Sequence, residues 1–289
     1  MLTVENLNVT LRNGDVQKHV LHGVSFSIPV GKIIGIIGES GSGKSVLCTT
    51  IMQLFRKQRQ VTGEIIYKGQ SLLDLPEKAM SKLRGDEMAL IMQNPMAMFN
   101  PIVTIEQHFV ETIQAHRKAT KKQARDQARE QLKRFQLFDE AVLKKYPHEL
   151  SGGMLQRIMI AIAASLNPSL LLADEPTTAL DTTTQLEILK ELRKLHGATG
   201  MSMLVVSHDL GVIANLAEEI IVMRHGVIVE RGTANHILQH PIHPYSQTLV
   251  AARDEHCTLD ELTDHFDGVI TGELMLYDEN HWVRMETRV

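Results

Sequence analysis

The stretch Gly38-Glu39-Ser40-Gly41-Ser42-Gly43-Lys44-Ser45 constrains this chain more than any other feature. It fits G-x-x-x-x-G-K-[ST], the phosphate-binding loop, and it follows the apolar run Ile33-Ile34-Gly35-Ile36-Ile37. A short β-branched run of that kind predicts a buried strand, and 46–54 predicts the helix that leaves the loop. Glycines let the backbone curl so that successive N–H groups face phosphate oxygens. The helix start adds free donors and a partial positive charge. Lys44 is then placed for the β- and γ-phosphates and the Ser45 hydroxyl for Mg²⁺. The loop implies a bound nucleoside triphosphate. What is done with it must come from elsewhere in the chain.

With 289 residues, 43% of them hydrophobic and 22% charged, the chain can hold one large α/β domain with or without an appendage. A net charge of −4 leaves no basic footprint for nucleic acid or an anionic membrane surface. No apolar run approaches the ~18 residues of a membrane span. The start, Met1-Leu2-Thr3-Val4-Glu5, lacks a basic and then apolar leader, so no signal peptide is expected. Cys48 and Cys257 cannot make a disulfide framework or a four-cysteine metal site, and Cys48 is expected to be a small buried residue. A reducing, cytoplasmic location fits this usage.

Hydrophobic patterning organises the rest. Residues 2–37 predict β structure, with Asn13-Gly14-Asp15 as a hairpin turn. Strands are predicted at 61–67 and at Met88-Ala89-Leu90-Ile91-Met92, the second delivering Gln93 at its end. From 104 to 137 the pattern is helical and heavily charged with both signs, which predicts a solvated helix face. A helix at 151–166, a strand Leu170-Leu171-Leu172-Ala173-Asp174, a helix at 182–196 and strands at 203–206 and 220–223 give an alternating α/β order and a largely parallel sheet. Thr233 is placed to cap a short helix, and Pro241 and Pro244 mark a loop. Residues 253–289 turn acidic and irregular and predict a tail or small appendage.

Four further elements follow the phosphate loop in order: Gln93 after a strand, Leu150-Ser151-Gly152-Gly153-Met154-Leu155-Gln156 opening a helix, Asp174-Glu175-Pro176 ending a strand with Ala179-Leu180-Asp181 behind it, and Ser207-His208-Asp209 ending the next. Together they resemble the nucleotide-binding domain of ABC transporters, over roughly residues 1–252. The resemblance implies a P-loop α/β fold with a mainly parallel core and an N-terminal antiparallel part. It implies a nucleotide-binding domain at 1–232, a helical subdomain inserted at about 94–165, and a short C-terminal extension at 233–289.

It also implies roles. Gly38 to Ser45 and Gln93 bind ATP, and Ser45, Gln93 and Asp174 supply oxygen to Mg²⁺, a cation that takes hard ligands. Glu175 polarises the attacking water and His208 contacts the γ-phosphate, in a reaction governed by positioning and charge. Ser151, Gly152, Gly153, Met154 and Gln156 face the nucleotide of a second ATPase subunit, and Asp181 lies across the same interface. One feature departs from the pattern: no aromatic residue for stacking on adenine occurs at 12–19. His19, Arg12 and Lys18 are the substitutes on offer.

Motif wording is similar to the dipeptide, oligopeptide and nickel importer branch, as in Tyr146-Pro147-His148-Glu149-Leu150 and His243-Pro244-Tyr245, and Gln93-Asn94-Pro95 is closest to the nickel-import ATPases. This implies import of nickel or a metal chelate, with peptide import as the alternative. The implied partners are a paralogous second ATPase, two membrane permeases and, indirectly, an extracytoplasmic solute-binding protein, at the cytoplasmic face of the cell membrane. Met96, Met98 and Phe99 are the implied contacts to the permeases. An iron–sulfur cluster needs about four cysteine ligands, so Cys257 alone predicts none. His240, His243 and His256 are read as plain surface residues. A non-transport ABC ATPase and a pseudo-ATPase are the competing classes. The first lacks its usual second cassette or added regions here, and the second conflicts with intact Lys44, Asp174, Glu175 and His208.

Overall fold

The computed structural model describes residues 1–14, 16–178, 180–255 and 272–284. Two compact units divide the chain: Met1–Leu75 with Met203–Val289, and Pro76–Ser202.

The first unit begins with β1 (Leu2–Asn13) and β2 (Val16–Ile28), antiparallel, with Asn13 opposite Val16 at the expected turn. Asp15 of that turn lies outside the described residues. After β3 (Ile33–Ile37) and α1 (Lys44–Ile51), β4 (Arg59–Tyr67) and β5 (Gln70–Ser71) complete a four-stranded sheet in the order β2-β1-β4-β5. Leu2, Val4, Leu7 and Val9 of β1 and Val24, Phe26 and Ile28 of β2 are buried, while Ser25 between them is exposed, as a sheet with one covered face requires.

The second unit carries α2 (Glu77–Asp86), a helix the hydrophobic pattern did not announce, then β6 (Met88–Ile91) and the single turn α3 (Pro95–Met98). The charged stretch forms two helices rather than one, α4 (Ile105–His116) and α5 (Lys121–Arg134). The break is chemical. Thr120 and Gln123 make a reciprocal capping box that starts a new helix. Phe109, Val110 and Ile113 of α4 and Ala124, Ala128 and Leu132 of α5 are buried. The opposite faces carry pairs such as Arg129–Asp126 at 2.9 Å and Arg134–Glu130 at 2.9 Å, the solvated kind that adds little stability. Then come α6 (Gly152–Ala164), β7 (Leu170–Asp174) and α7 (Thr182–Thr199), with β6 and β7 parallel.

The chain returns to the first unit with β8 (Ser202–Ser207), α8 (Leu210–Leu216), β9 (Glu219–Arg224), β10 (Val227–Thr233), α9 (Ala234–Gln239), α10 (Pro244–Glu255), β11 (Leu274–Asp278) and β12 (His281–Arg284). Thr233 caps α9 as expected, accepting the His236 N–H at 3.2 Å. Within this unit the strand order is β11-β12-β10-β9-β3-β8. β3 is parallel to both β8 and β9, whereas β10, β12 and β11 add on antiparallel. The parallel core therefore carries an antiparallel edge, and part of the expected irregular tail is a hairpin that widens the sheet. Pro244 opens α10 instead of marking a loop, a position where proline's missing N–H costs nothing. Among the described residues no helix is long and apolar enough to cross a membrane.

Candidate functional site: a phosphate loop and a carboxylate edge

In the first unit, β3 is buried at all five residues and ends against Gly38. A Cβ on Gly38 would lie 2.0 Å from the Met223 carbonyl oxygen, so only glycine lets the loop leave the sheet this close to β9. Gly43 caps α1 at φ 101 and ψ −1, in the left-handed region that favours glycine. The turn between them is closed by Ser42 N–H to Glu39 C=O at 3.2 Å and held from outside by Gly226 N–H to Ser42 C=O at 3.1 Å. Lys44 is buried, and its ammonium donates to the carbonyls of Gly38 at 2.6 Å and Glu39 at 2.7 Å and to Ser42 Oγ at 3.3 Å. Ser40, Gly41 and Ser45 are exposed on the open side of the loop. A cationic side chain folded under a curl of backbone, with α1 pointing its start at the opening, suits a polyphosphate.

His208 belongs beside this loop. Ser207, the last residue of β8, pairs in parallel register with Ile37, the last of β3, so Gly38 and His208 leave neighbouring strands at the same edge. That carboxyl edge is where open α/β sheets bind ligands. His208 is exposed there, and Asp209 behind it caps α8 by accepting the Gly211 N–H at 2.7 Å. Of the adenine substitutes, Arg12 donates to Gln60 Oε1 at 2.5 Å, while His19 is exposed with its ring 4.0 Å from that of His22.

The second unit repeats the logic with acids. Ile91 of β6 pairs with Ala173 of β7, which places Gln93, Asp174 and Glu175 along one carboxyl edge. Asp174 and Glu175 are both buried, and Gln93 is exposed. Glu175 sits at φ 52, an uncommon conformation for a side chain of its size and one that clusters at working sites. Thr178 Oγ1 donates to Glu175 Oε2 at 2.9 Å and orients the carboxylate. Carboxylate and amide oxygens at one edge, like the Ser45 hydroxyl in the other unit, are the hard donors Mg²⁺ takes.

α6 opens at Ser151, whose hydroxyl accepts the Met154 N–H at 3.3 Å. Ser151 and Gly152 are exposed, and Gly153 and Met154 are half-buried. A Cβ on Gly153 would come within 2.7 Å of Thr184 Cγ2. Gln156, grouped with this exposed surface in the sequence, turns inward instead. It is buried and donates to the Pro176 carbonyl at 2.6 Å, bracing the turn that carries Glu175. Asp181 caps α7, accepting Thr184 Oγ1–H at 2.6 Å and the Thr184 N–H at 3.0 Å, and these donors hold its carboxyl below the usual carboxylate range.

Two further expectations change. Phe99 is buried with its ring edge-on to His108, so of the three apolar residues near Gln93 only Met96 and Met98 are exposed. His243 is not a surface residue: it is buried, its N–H donates to Glu230 Oε2 at 3.1 Å, and its Nδ1 accepts the Tyr245 N–H at 3.1 Å. His240 is exposed as expected, and Cys48 is buried. His281 Nε2 lies 2.7 Å from the buried Glu230 Oε1. Ala179, His256 and Cys257, the cysteine behind the expectation about an iron–sulfur cluster, lie outside the described residues. No group of three or more His, Cys, Asp or Glu side chains that could hold a metal ion occurs among the described residues. Pattern reasoning missed Arg224 and Tyr245 as neighbours of the loop and Glu230 as the buried acceptor behind Tyr245, and a charged residue inside an otherwise apolar strand run was the available signal for Glu230.

Comparison with known proteins bears on both edges. The ABC transporter family matches residues 21–178. The metal-staphylopine import system ATP-binding protein CntD of Staphylococcus aureus is 38% identical over 95% of this chain and 98% of its own length. The dipeptide transport ATP-binding protein DppD of Haemophilus influenzae is 40% identical over 94% of this chain and 83% of its own length. The dimeric post-hydrolysis structure of the ATP-binding cassette MJ0796, bound to ADP and Pi, superposes with a TM-score of 0.73 at 31% identity, over 81% of this chain and 99% of that one.

Proposed function

The chain belongs to the ABC transporter family and is one of its transport ATPases, and from that membership we propose that it energises uptake of nickel or a metal chelate through partner membrane permeases. The observation that carries this reading is the similarity to the metal-staphylopine import ATPase along nearly all of that protein's length. Dipeptide import is the second reading, favoured by the 40% identity to a dipeptide transport ATPase.

In this proposal Gly38, Glu39, Ser40, Gly41, Ser42, Gly43 and Lys44 bind the triphosphate of ATP. Ser45, Asp174 and Gln93 supply the oxygen donors for Mg²⁺, which when bound neutralises charge on the phosphate oxygens. Glu175 holds and polarises the water for in-line attack, and His208 contacts the γ-phosphate, so that catalysis is by positioning and charge. Ser151, Gly152, Gly153 and Met154 serve the nucleotide of a second ATPase subunit, a paralogue, and Asp181 lies at the same interface. Residues 1–232 form the nucleotide-binding domain, with a helical subdomain at about 94–165 that meets the permeases, and 233–289 form the extension. A solute-binding protein on the other side of the membrane selects the cargo, and this chain works peripherally at the cytoplasmic face.

The test is uptake of radiolabelled nickel, free and chelated, by cells whose own nickel and peptide importers are deleted and which carry this chain with the genes of its second ATPase, permeases and binding protein. Nickel is expected to accumulate. Glu175→Gln is expected to keep ATP binding and to lower hydrolysis and uptake by about 10²–10⁴-fold, the size of a lost general base. Uptake of dipeptides in place of nickel would transfer the assignment to the second reading, and undiminished hydrolysis in Glu175→Gln would remove Glu175 from the mechanism.

A further inference from the structure

We propose that Tyr245 is a positioning residue of the phosphate loop, whose hydroxyl orients the Gly38–Glu39 peptide and through it the Lys44 ammonium. The proposal rests on the reading of that loop as the ATP site. It begins with one peptide plane held at both ends. The N–H of Glu39 donates to the Tyr245 hydroxyl oxygen at 3.0 Å, and the C=O of the same peptide, on Gly38, accepts Lys44 Nζ at 2.6 Å. Rotating that peptide would turn the carbonyl away from the lysine. Tyr245 therefore reaches the phosphate-binding cation through a single rigid, planar unit, although 206 residues separate it from Glu39.

Tyr245 is itself fixed on every side. Its ring is fully buried beneath the Arg224 guanidinium, 5.1 Å from the ring centroid, and Arg224 Nε lies 3.8 Å from Glu39 Oε1. Its N–H donates to His243 Nδ1, and Glu230 accepts from the N–H groups of Ile242 at 2.8 Å and His243 at 3.1 Å. Glu230 also binds His281 of β12 at 2.7 Å. The start of α10 is thus pinned to β10, and β10 to the C-terminal hairpin, before Tyr245 touches the loop. Burial first, and the Glu39 carboxylate after it, raise the phenol's pKa, so the hydroxyl stays neutral.

Packing alone does not need the oxygen. A phenylalanine would fill the same space and keep the cation–π contact, but it would leave a half-buried loop N–H without its acceptor, and a stranded donor costs more than a made bond gains, the more so the less water reaches it. Gly38 meanwhile is pressed against the Met223 carbonyl from the β9 side. The extension supplies a further contact that keeps the loop in shape before phosphate arrives, which lowers the ordering cost of binding.

Tyr245→Phe, assayed in the full chain for Mg-ATP binding and in the assembled transporter for steady-state hydrolysis, tests the inference against wild type and Lys44→Ala. The expected result is a Kd and KM for ATP about three- to tenfold higher, the size of one neutral hydrogen bond, with kcat within about twofold of wild type. The Glu39 amide proton should move upfield in the variant. In the wild type the same amide should be protected from hydrogen exchange, a measurement that holds whether or not the variant folds well. Unchanged Kd and KM in Tyr245→Phe, or an unprotected Glu39 amide, would overturn the inference while ATP binding lost in Lys44→Ala still upheld the loop reading. A wild-type chain that failed to bind Mg-ATP would overturn both.

Discussion

The helix that leaves the phosphate loop starts from Gly43 at φ 101 and ψ −1 with no side chain capping it, whereas α6 starts from Ser151 at φ −68 and ψ 157 with its own hydroxyl accepting the Met154 N–H. α7 follows the second pattern, capped by Asp181 through Thr184. A capped start has one of its orphan donors satisfied and can stand exposed without a ligand. The start at Gly43 has given up a side-chain cap for backbone curvature, and a buried lysine supplies the charge. The first geometry is built to close around an anion within its own loop. The second is a stable surface feature to which something else must come, as the proposed second ATPase subunit would.

The largest effect on ATP binding expected from this contrast is at Gly43. Gly43→Ala places a methyl 2.6 Å from Leu21 Cδ2 and holds a substituted residue in the left-handed region. Strain of that type costs about 1–3 kcal/mol. If the loop relieves it by giving up its curl, ATP affinity falls by roughly ten- to a hundredfold. Equilibrium binding of Mg-ATP measures this, and an alanine variant that bound ATP normally would show that the left-handed cap is not what shapes the site.

Ser151→Ala should behave in the opposite way. Loss of the cap costs about 1 kcal/mol of stability, seen as a lower denaturant midpoint, while ATP binding to the single chain stays unchanged. In the assembled transporter the loss of a hydroxyl facing phosphate should lower hydrolysis by about tenfold to a hundredfold, the worth of a hydrogen bond to a charged group. Weakened ATP binding by the single chain would erase the distinction between the two helix starts.

How much of this was legible in the sequence depends on how local the cause is. The phosphate loop, β3 and β7 are local: β-branched or leucine runs of strand length ended by glycine or acid, and all lie where the pattern placed them. The break between α4 and α5 was also local, written in Thr120 and Gln123, but the charge pattern masked it. β11 had no pattern to show, because Met275, Leu276 and Tyr277 are all exposed and no alternation marks a covered face. Gln156 looked like part of an exposed motif because its partner, the Pro176 carbonyl, lies on a turn whose path only the fold defines. The bond from Tyr245 to Glu39 is beyond any window of the chain. A tyrosine two residues after a histidine says nothing about a loop near the other end.

The smallest effect is expected at the third helix start. Asp181 is exposed, and its carboxyl is held below the ordinary aspartate value of 3.8, first by the Thr184 hydroxyl and then by the Thr184 N–H. A folded-state pKa below the unfolded one means stability that is present above pH 3.8 and is lost as pH falls through the folded value. Asn at this position still caps a helix but carries no charge to titrate. Asp181→Asn should therefore be slightly less stable than wild type at pH 7, and the gap should close as the pH is lowered past 3.8. Urea unfolding midpoints of the two proteins across that range measure it. A gap that stayed constant with pH would mean that the capping bond is made by geometry alone and not by charge. Asp181 would then join Ser151 as a neutral cap, and the contrast with the charged grip of Lys44 in the phosphate loop would be sharper still.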